Sequence, residues 1–356
     1  MNQTKKTIAT IIITCLLSTF ITYSVTKRFI KSSSSSLAND TTQWVVGKGS
    51  CEYKFSRISG YKYIKPLAWV EEDQTSAALE NLRNKINAKI EDYKKGGVLI
   101  SASVYLKIFR KGEWTVINDT ETYYPGSLIK VAGLLTYLRM EEVNPGVLNN
   151  KITFTDTPSE YIPGQTYNSK QIEFGKTYTV KELLKYMVAY SDNNATYLLN
   201  KNVDMKTFEK LFADFNLSLK TNATGTVKMT VRDYSRFINI IYNASYLSLE
   251  HSEFAAELLS ECDFNEGMVN GLPPNTKLMH KFGEMGDAAT RQLHESGIIY
   301  LKNTPYLLTI MTKGYDIKKL PAVISDITRI TYDEISTNQS FADQVQGSST
   351  GEKVFK

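Results

Sequence analysis

Pro125-Gly126-Ser127-Leu128-Ile129-Lys130 is followed within two helical turns by Val131, Ala132, Leu134, Leu135, Tyr137 and Leu138. Pro-Gly punctuates the chain and opens a segment, residues 127–142, that is apolar almost all round. A helix of that composition has no solvent face and belongs in the middle of a folded domain. Ser127 stands at its start and Lys130 one turn later, so the two side chains project from the same face. A serine hydroxyl is a weak nucleophile until a base takes its proton. A desolvated lysine near a second cation becomes such a base as its pKa falls. At a helix start the Ser127 amide also points at the reacting centre, half of an oxyanion hole. A second Ser-x-x-Lys match, Ser59-Gly60-Tyr61-Lys62, precedes no helical pattern and is discounted.

Outward from this helix the pattern becomes a fold. Leu79, Leu82, Ile86, Ile90 and Tyr93 predict a helix that stops at Lys94-Lys95-Gly96-Gly97. Alternation over 98–109 and 114–118 predicts a hairpin. Helical patterns fill 179–262, strands return at 277–282, 297–301 and 306–312, and a last helix is expected over 317–330. Strands at both ends with helices between them imply an α+β domain, one sheet closed by remote segments with an all-helical lobe inserted.

Two further motifs follow in order. Ser191-Asp192-Asn193 lies between two helical segments, where a loop presents side chains. Ser191 is suited to relay a proton to a leaving group and Asn193 to hold a substrate amide. The same triplet also reads as a helix N-cap. Lys281-Phe282-Gly283 lies on a strand; Lys281 supplies the second cation and attracts an anionic substrate, and the Glu284 amide is the second oxyanion donor. Glu160, Glu173 and Asp156 read as solvated surface, and His280 as a structural strand histidine. Tyr124 and Tyr190, each close to a motif, are candidates to line the site.

SxxK, SDN and KxG in this order resemble class A β-lactamases and the related penicillin-binding proteins, over about residues 75–335. The resemblance implies an antiparallel sheet with helices on both faces beside the lobe. It implies that Ser127 is acylated, that Lys130 and Ser191 move protons, and that Asn193, Lys281 and Gly283 contribute to substrate binding. Arg291, ten residues past Lys281, is similar to the family's arginine for the substrate carboxylate. Two departures matter. Phe282 stands where the family has a threonine or serine, and no glutamate occurs between residues 216 and 243, where class A enzymes place the activator of the deacylating water. The implied substrates are β-lactams or related amides. The alternatives are a D,D-peptidase acting on peptidoglycan stems and a non-catalytic wall-binding module on the same fold.

Composition narrows the rest. Net charge is +5, from 42 basic and 37 acidic residues spread along the chain, so nucleic-acid binding has no support. Three cysteines and three histidines form no metal-ligand spacing, and lysine-activated serine chemistry needs no cofactor. Cys51 and Cys262 either pair or remain free thiols. Residues 7–25 carry no charge and are long enough to span a bilayer, which is read as an uncleaved anchor after a cytoplasmic tail, 1–6, with the enzyme on the extracytoplasmic side. A serine-rich linker (26–40), an aromatic extension (41–72), the main domain (73–335) and a polar tail (336–356) complete the organisation.

Overall fold

The computed structural model describes residues 53–72, 74–155, 166–167, 169–219, 227–286 and 289–349. The chain begins with a hairpin, β1 (Tyr53–Arg57) and β2 (Leu67–Glu72), then helix α1 (Glu80–Lys95) and a second hairpin, β3 (Leu99–Ile108) and β4 (Glu113–Ile117). Next come α2 (Lys130–Val143), a small ribbon of β5 (Lys151–Thr153) and β6 (Thr177–Thr179), and then α3 (Val180–Ala189), α4 (Asn193–Asn202), α5 (Met205–Asp214), α6 (Val231–Tyr242) and α7 (Leu249–Ser260). The short α8 (Met268–Gly271) leads into β7 (Leu278–Gly286), β8 (Arg291–Ile299) and β9 (Tyr306–Gly314), and α9 (Leu320–Ser349) closes the fold.

The main sheet has the order β4-β3-β9-β8-β7, antiparallel throughout. β3 and β9, about two hundred residues apart in sequence, are neighbours, so the sheet exists only when both ends of the domain meet. Side chains alternate across each strand and feed two apolar cores. Leu82, Ile86 and Ile90 of α1 and Leu320, Val323, Ile324 and Ile327 of α9 pack on one face with Leu106, Leu308 and Phe282. Tyr105, Leu307 and Met311 face the lobe on the other, against α2, α3 and α6. α2 is buried over its first turns, as its composition requires: Val131, Leu134, Leu135 and Leu138 have no exposure, and its last turn, ending at Val143, reaches solvent.

Three expectations are corrected. Ser127 does not begin the α-helix but sits in a 3-10 turn, Gly126–Ile129, and regular α-geometry starts at Lys130. Gly126 has φ +55°, and a Cβ there would lie 2.4 Å from the Glu284 carbonyl oxygen, so the edge strand shapes this turn. β8 begins at Arg291 rather than 297, because the polar run Gln292, His294, Glu295 and Ser296 masks a strand whose side chains are almost wholly buried and hydrogen-bonded. The last helix runs to Ser349, well past 330. The aromatic extension provides the β1–β2 hairpin, whose Ile58, Ala68 and Trp69 join the lobe core. The segment read as an anchor, the serine-rich linker, Cys15, Cys51, Asp156 and Glu160 lie outside the described residues; among those described, no helix is long and apolar enough to cross a membrane.

Candidate active site

Ser127 lies in the 3-10 turn and Lys130 begins α2 directly after it, where the turn passes beside the edge strand β7. Contact between turn and strand is so close that neither partner tolerates a side chain. A Cβ on Gly283 would fall 2.3 Å from the Pro125 carbonyl oxygen and 2.7 Å from the Leu128 nitrogen. Gly126 meets the backbone of Glu284 in the same way. This places the amides of Ser127 and Glu284, the expected oxyanion donors, on facing segments of backbone.

The segment that delivers Ser127 is pinned from both sides. Tyr123 exchanges backbone hydrogen bonds of 2.9 and 3.0 Å with Met229. The Tyr124 N–H donates to Gln292 Oε1 at 3.1 Å, and His294 Nε2–H donates to the Tyr124 carbonyl at 3.0 Å. His294 Nδ1 accepts the Thr312 N–H, which defines the tautomer, and burial pushes this imidazole down to about 4. Sequence reasoning missed Gln292 and His294, since they sit in the polar run that did not read as a strand.

Lys130 is buried, and its Nζ donates to the Ser191 carbonyl at 2.6 Å, Ser191 Oγ at 3.2 Å and Asn193 Oδ1 at 2.8 Å. Burial holds its pKa well below the usual lysine range, and the positive charge of Lys281 pushes the same way against the pull of Asp192 and Glu284. Ser191 has no exposure and adopts φ +54°, a conformation uncommon for a residue with a side chain, so its carbonyl and hydroxyl both reach Lys130. Asp192 is the N-cap of α4: it accepts the Asn194 N–H and, through its second oxygen, the buried Ile172 N–H, both at 2.8 Å. The triplet is therefore a cap and a presenter of side chains at once. Its middle residue holds the helix while the outer two face Lys130.

Lys281 on β7 has no exposure; its Nζ donates to the Phe282 carbonyl at 3.1 Å and lies 4.1 Å from the centre of the Phe282 ring. Burial lowers it to about 8, opposed by Cys262, Asp263, Glu295 and Glu284. Its influence on Lys130 is electrostatic. Cys262 is a buried free thiol. Phe282 stacks on Phe264 at 4.5 Å and meets the edge of Tyr167 at 6.4 Å, inside the core shared with α1 and α9. The ring thus serves the core. Burial raises the Glu284 carboxyl, against the Tyr167 N–H, Thr166 and the charge of Arg291. Arg291 itself stands exposed at the first position of β8, opposite Gly286, whereas the residue opposite Gly283 is His294. His280 is buried and bonded to Glu295 at 2.6 Å, a structural pair that also caps α8 through the Met268 N–H. Among the described residues no group of His, Cys, Asp and Glu is arranged to hold a metal ion.

The model of the Beta-lactamase enzyme family matches residues 81–335. The β-lactamase VEB-1 of Pseudomonas aeruginosa is 24% identical over 280 residues, covering 70% of this chain and 90% of that protein. In fold, the chain is similar to a β-lactamase from Chitinophaga pinensis (TM-score 0.62, 18% identity, 72% of this chain and 100% of that one). It is similar as well to a point mutant of PBP-A in its acyl-enzyme complex with penicillin G (TM-score 0.61, 19% identity, 73% and 97%). With the match spanning both halves of the sheet and the whole lobe between them, the chain belongs to the Beta-lactamase enzyme family.

Proposed function

We propose that this protein is a serine hydrolase that opens amide bonds of β-lactams or related acyl donors through an acyl-Ser127 intermediate. The observation that carries this reading is the environment of Lys130: an amine buried one turn from Ser127, depressed by desolvation and by Lys281, and hydrogen-bonded to Ser191 and Asn193. A neutral amine fits these contacts. It keeps two N–H bonds, to the Ser191 carbonyl and Asn193, and its lone pair takes the proton of a hydroxyl. Lys130 then removes the Ser127 proton as Oγ attacks the carbonyl carbon, and the amides of Ser127 and Glu284 receive the oxyanion. Ser191 passes the proton from Lys130 to the departing nitrogen, and the C–N bond breaks to leave the ester. Asn193 holds the substrate amide, and Lys281 sets the positive potential of the site. Arg291, exposed beyond Glu284, is assigned to the substrate carboxylate only by its place in sequence.

Deacylation is the slow step in this reading, because no glutamate lies between residues 216 and 243 to activate water. The same absence favours the second reading, a penicillin-binding D,D-peptidase acting on peptidoglycan stems, and a point mutant of PBP-A, a fold neighbour, was captured as an acyl-enzyme with penicillin G. Residues 7–25 are proposed to tether the enzyme on the extracytoplasmic side. Intact-protein mass spectrometry after mixing with benzylpenicillin tests the chemistry. A mass gain that persists for hours and is absent from Ser127→Ala is expected. A gain that survives Ser127→Ala would overturn the nucleophile, and no gain with any β-lactam or stem mimic would favour a non-catalytic module.

A further inference from the structure

We propose that the tip of the β1–β2 hairpin is a contact surface for anionic lipid bilayers. Every residue from 59 to 65 is exposed, and Tyr61, Tyr63, Ile64 and Leu67 are 43, 85, 58 and 42% accessible. Exposed apolar side chains elsewhere among the described residues occur singly, as is normal on a protein surface; four within seven residues form a patch. The tip, residues 57–67, also holds Arg57, Lys62 and Lys65 and no acidic residue; the hairpin's acids, Glu71 and Glu72, stand at its root, opposite Lys54 and Tyr53.

Tyr63, Ile64 and Leu67 take no part in the hairpin's core packing. Its packing is done at the root by Ile58, Ala68 and Trp69, and Ser56 Oγ donates to the Asp214 carbonyl at 2.6 Å. The tip is fastened in place as well. Arg57 donates to the Lys65 carbonyl at 2.7 Å, the Ser59 N–H to Asp214 Oδ1 at 3.1 Å, Lys210 to the Ser59 carbonyl at 3.0 Å, and Arg139 to the Tyr61 hydroxyl at 2.7 Å. The nearby carboxylates are matched: Asp214 with Lys210 and Glu142 with Arg139. What faces solvent is therefore a preorganised edge of aromatic and aliphatic bodies interleaved with cations, which suits the boundary between headgroups and acyl chains. A soluble polyanion would leave Tyr63 and Ile64, 85 and 58% accessible, in water, so the bilayer is the better occupant. The contact is a second attachment, separate from the tether proposed above.

Hydrogen–deuterium exchange of the full chain in nanodiscs tests this, comparing phosphatidylcholine alone with a mixture containing phosphatidylglycerol. Exchange over residues 59–65 is expected to slow about fivefold or more in the anionic discs. The slowing is expected to vanish in Tyr63→Ser/Ile64→Ser and in Lys62→Glu/Lys65→Glu, while Ser127 acylation is unchanged. Equal exchange in the two lipids would overturn the proposal, as would equal slowing by polyphosphate without lipid. Residues 7–25 report the tether in the same data, so protection there with an unprotected hairpin sinks the hairpin contact alone.

Discussion

Lys130 and Lys281 show how one charge tunes another without touching it. Both are fully buried, so each disfavours its own ionised form, and Lys281 adds its charge to the desolvation that depresses Lys130. Removing that charge raises the Lys130 pKa, so the fraction of neutral amine at a given pH falls. In Lys281→Met the acid limb of the acylation-rate profile is therefore expected to move alkaline; an unmoved limb would deny the coupling. Phe282 carries the opposite lesson. In the sequence it reads as a missing hydroxyl, yet its ring packs against Phe264 and Tyr167 and is almost wholly buried. Phe282→Thr is expected to cost about 3 kcal/mol of stability in urea unfolding, with no gain in acylation rate by penicillin.

The turn that carries Ser127 and the strand β7 meet backbone to backbone. The 3-10 turn at Gly126–Ile129 and the strand β7 approach so closely that glycine is the one residue type that positions 126 and 283 accept without a shift. In Gly283→Ala the turn must retreat from β7, separating the two amides proposed to receive the oxyanion. The acylation rate is expected to fall at least about tenfold while circular dichroism at room temperature stays native. A wild-type rate in that variant would show that the turn does not need this contact. The motif order and the helix around Lys130 were legible because both follow from local spacing. The 3-10 turn was not, since it results from pressure by a strand roughly a hundred and fifty residues away. β8 was half hidden for a related reason: its polar residues find partners on Tyr124, Thr312, Met268 and Thr309, none of which is local.

At the scale of the whole molecule, closure depends on the last helix. Leu320, Val323, Ile324 and Ile327 are fully buried beneath the sheet. Each contributes about 1.5–3 kcal/mol, so their sum approaches the entire stability of an ordinary domain, about 5–15 kcal/mol. A chain ending at residue 319 is expected to lack near-ultraviolet circular dichroism and to be digested rapidly by protease. A native spectrum would mean that the sheet and lobe stand without this cover. The lobe, by contrast, is anchored at both ends by the sheet, so it is expected to lose its order together with it.

The sequence by itself determined the class of fold, the order of the three motifs and the polar residues that meet Lys130, because helical and strand periodicity and the chemistry of serine, lysine and asparagine are local properties. Only the tertiary structure decided that Phe282 belongs to the core, that the cap at Asp192 and the contacts of its neighbours with Lys130 coexist, that His294 rather than Arg291 lies opposite Gly283, and that the hairpin tip is left bare. Each of those depends on which side of an element meets another, and that is set by packing between segments far apart in the chain.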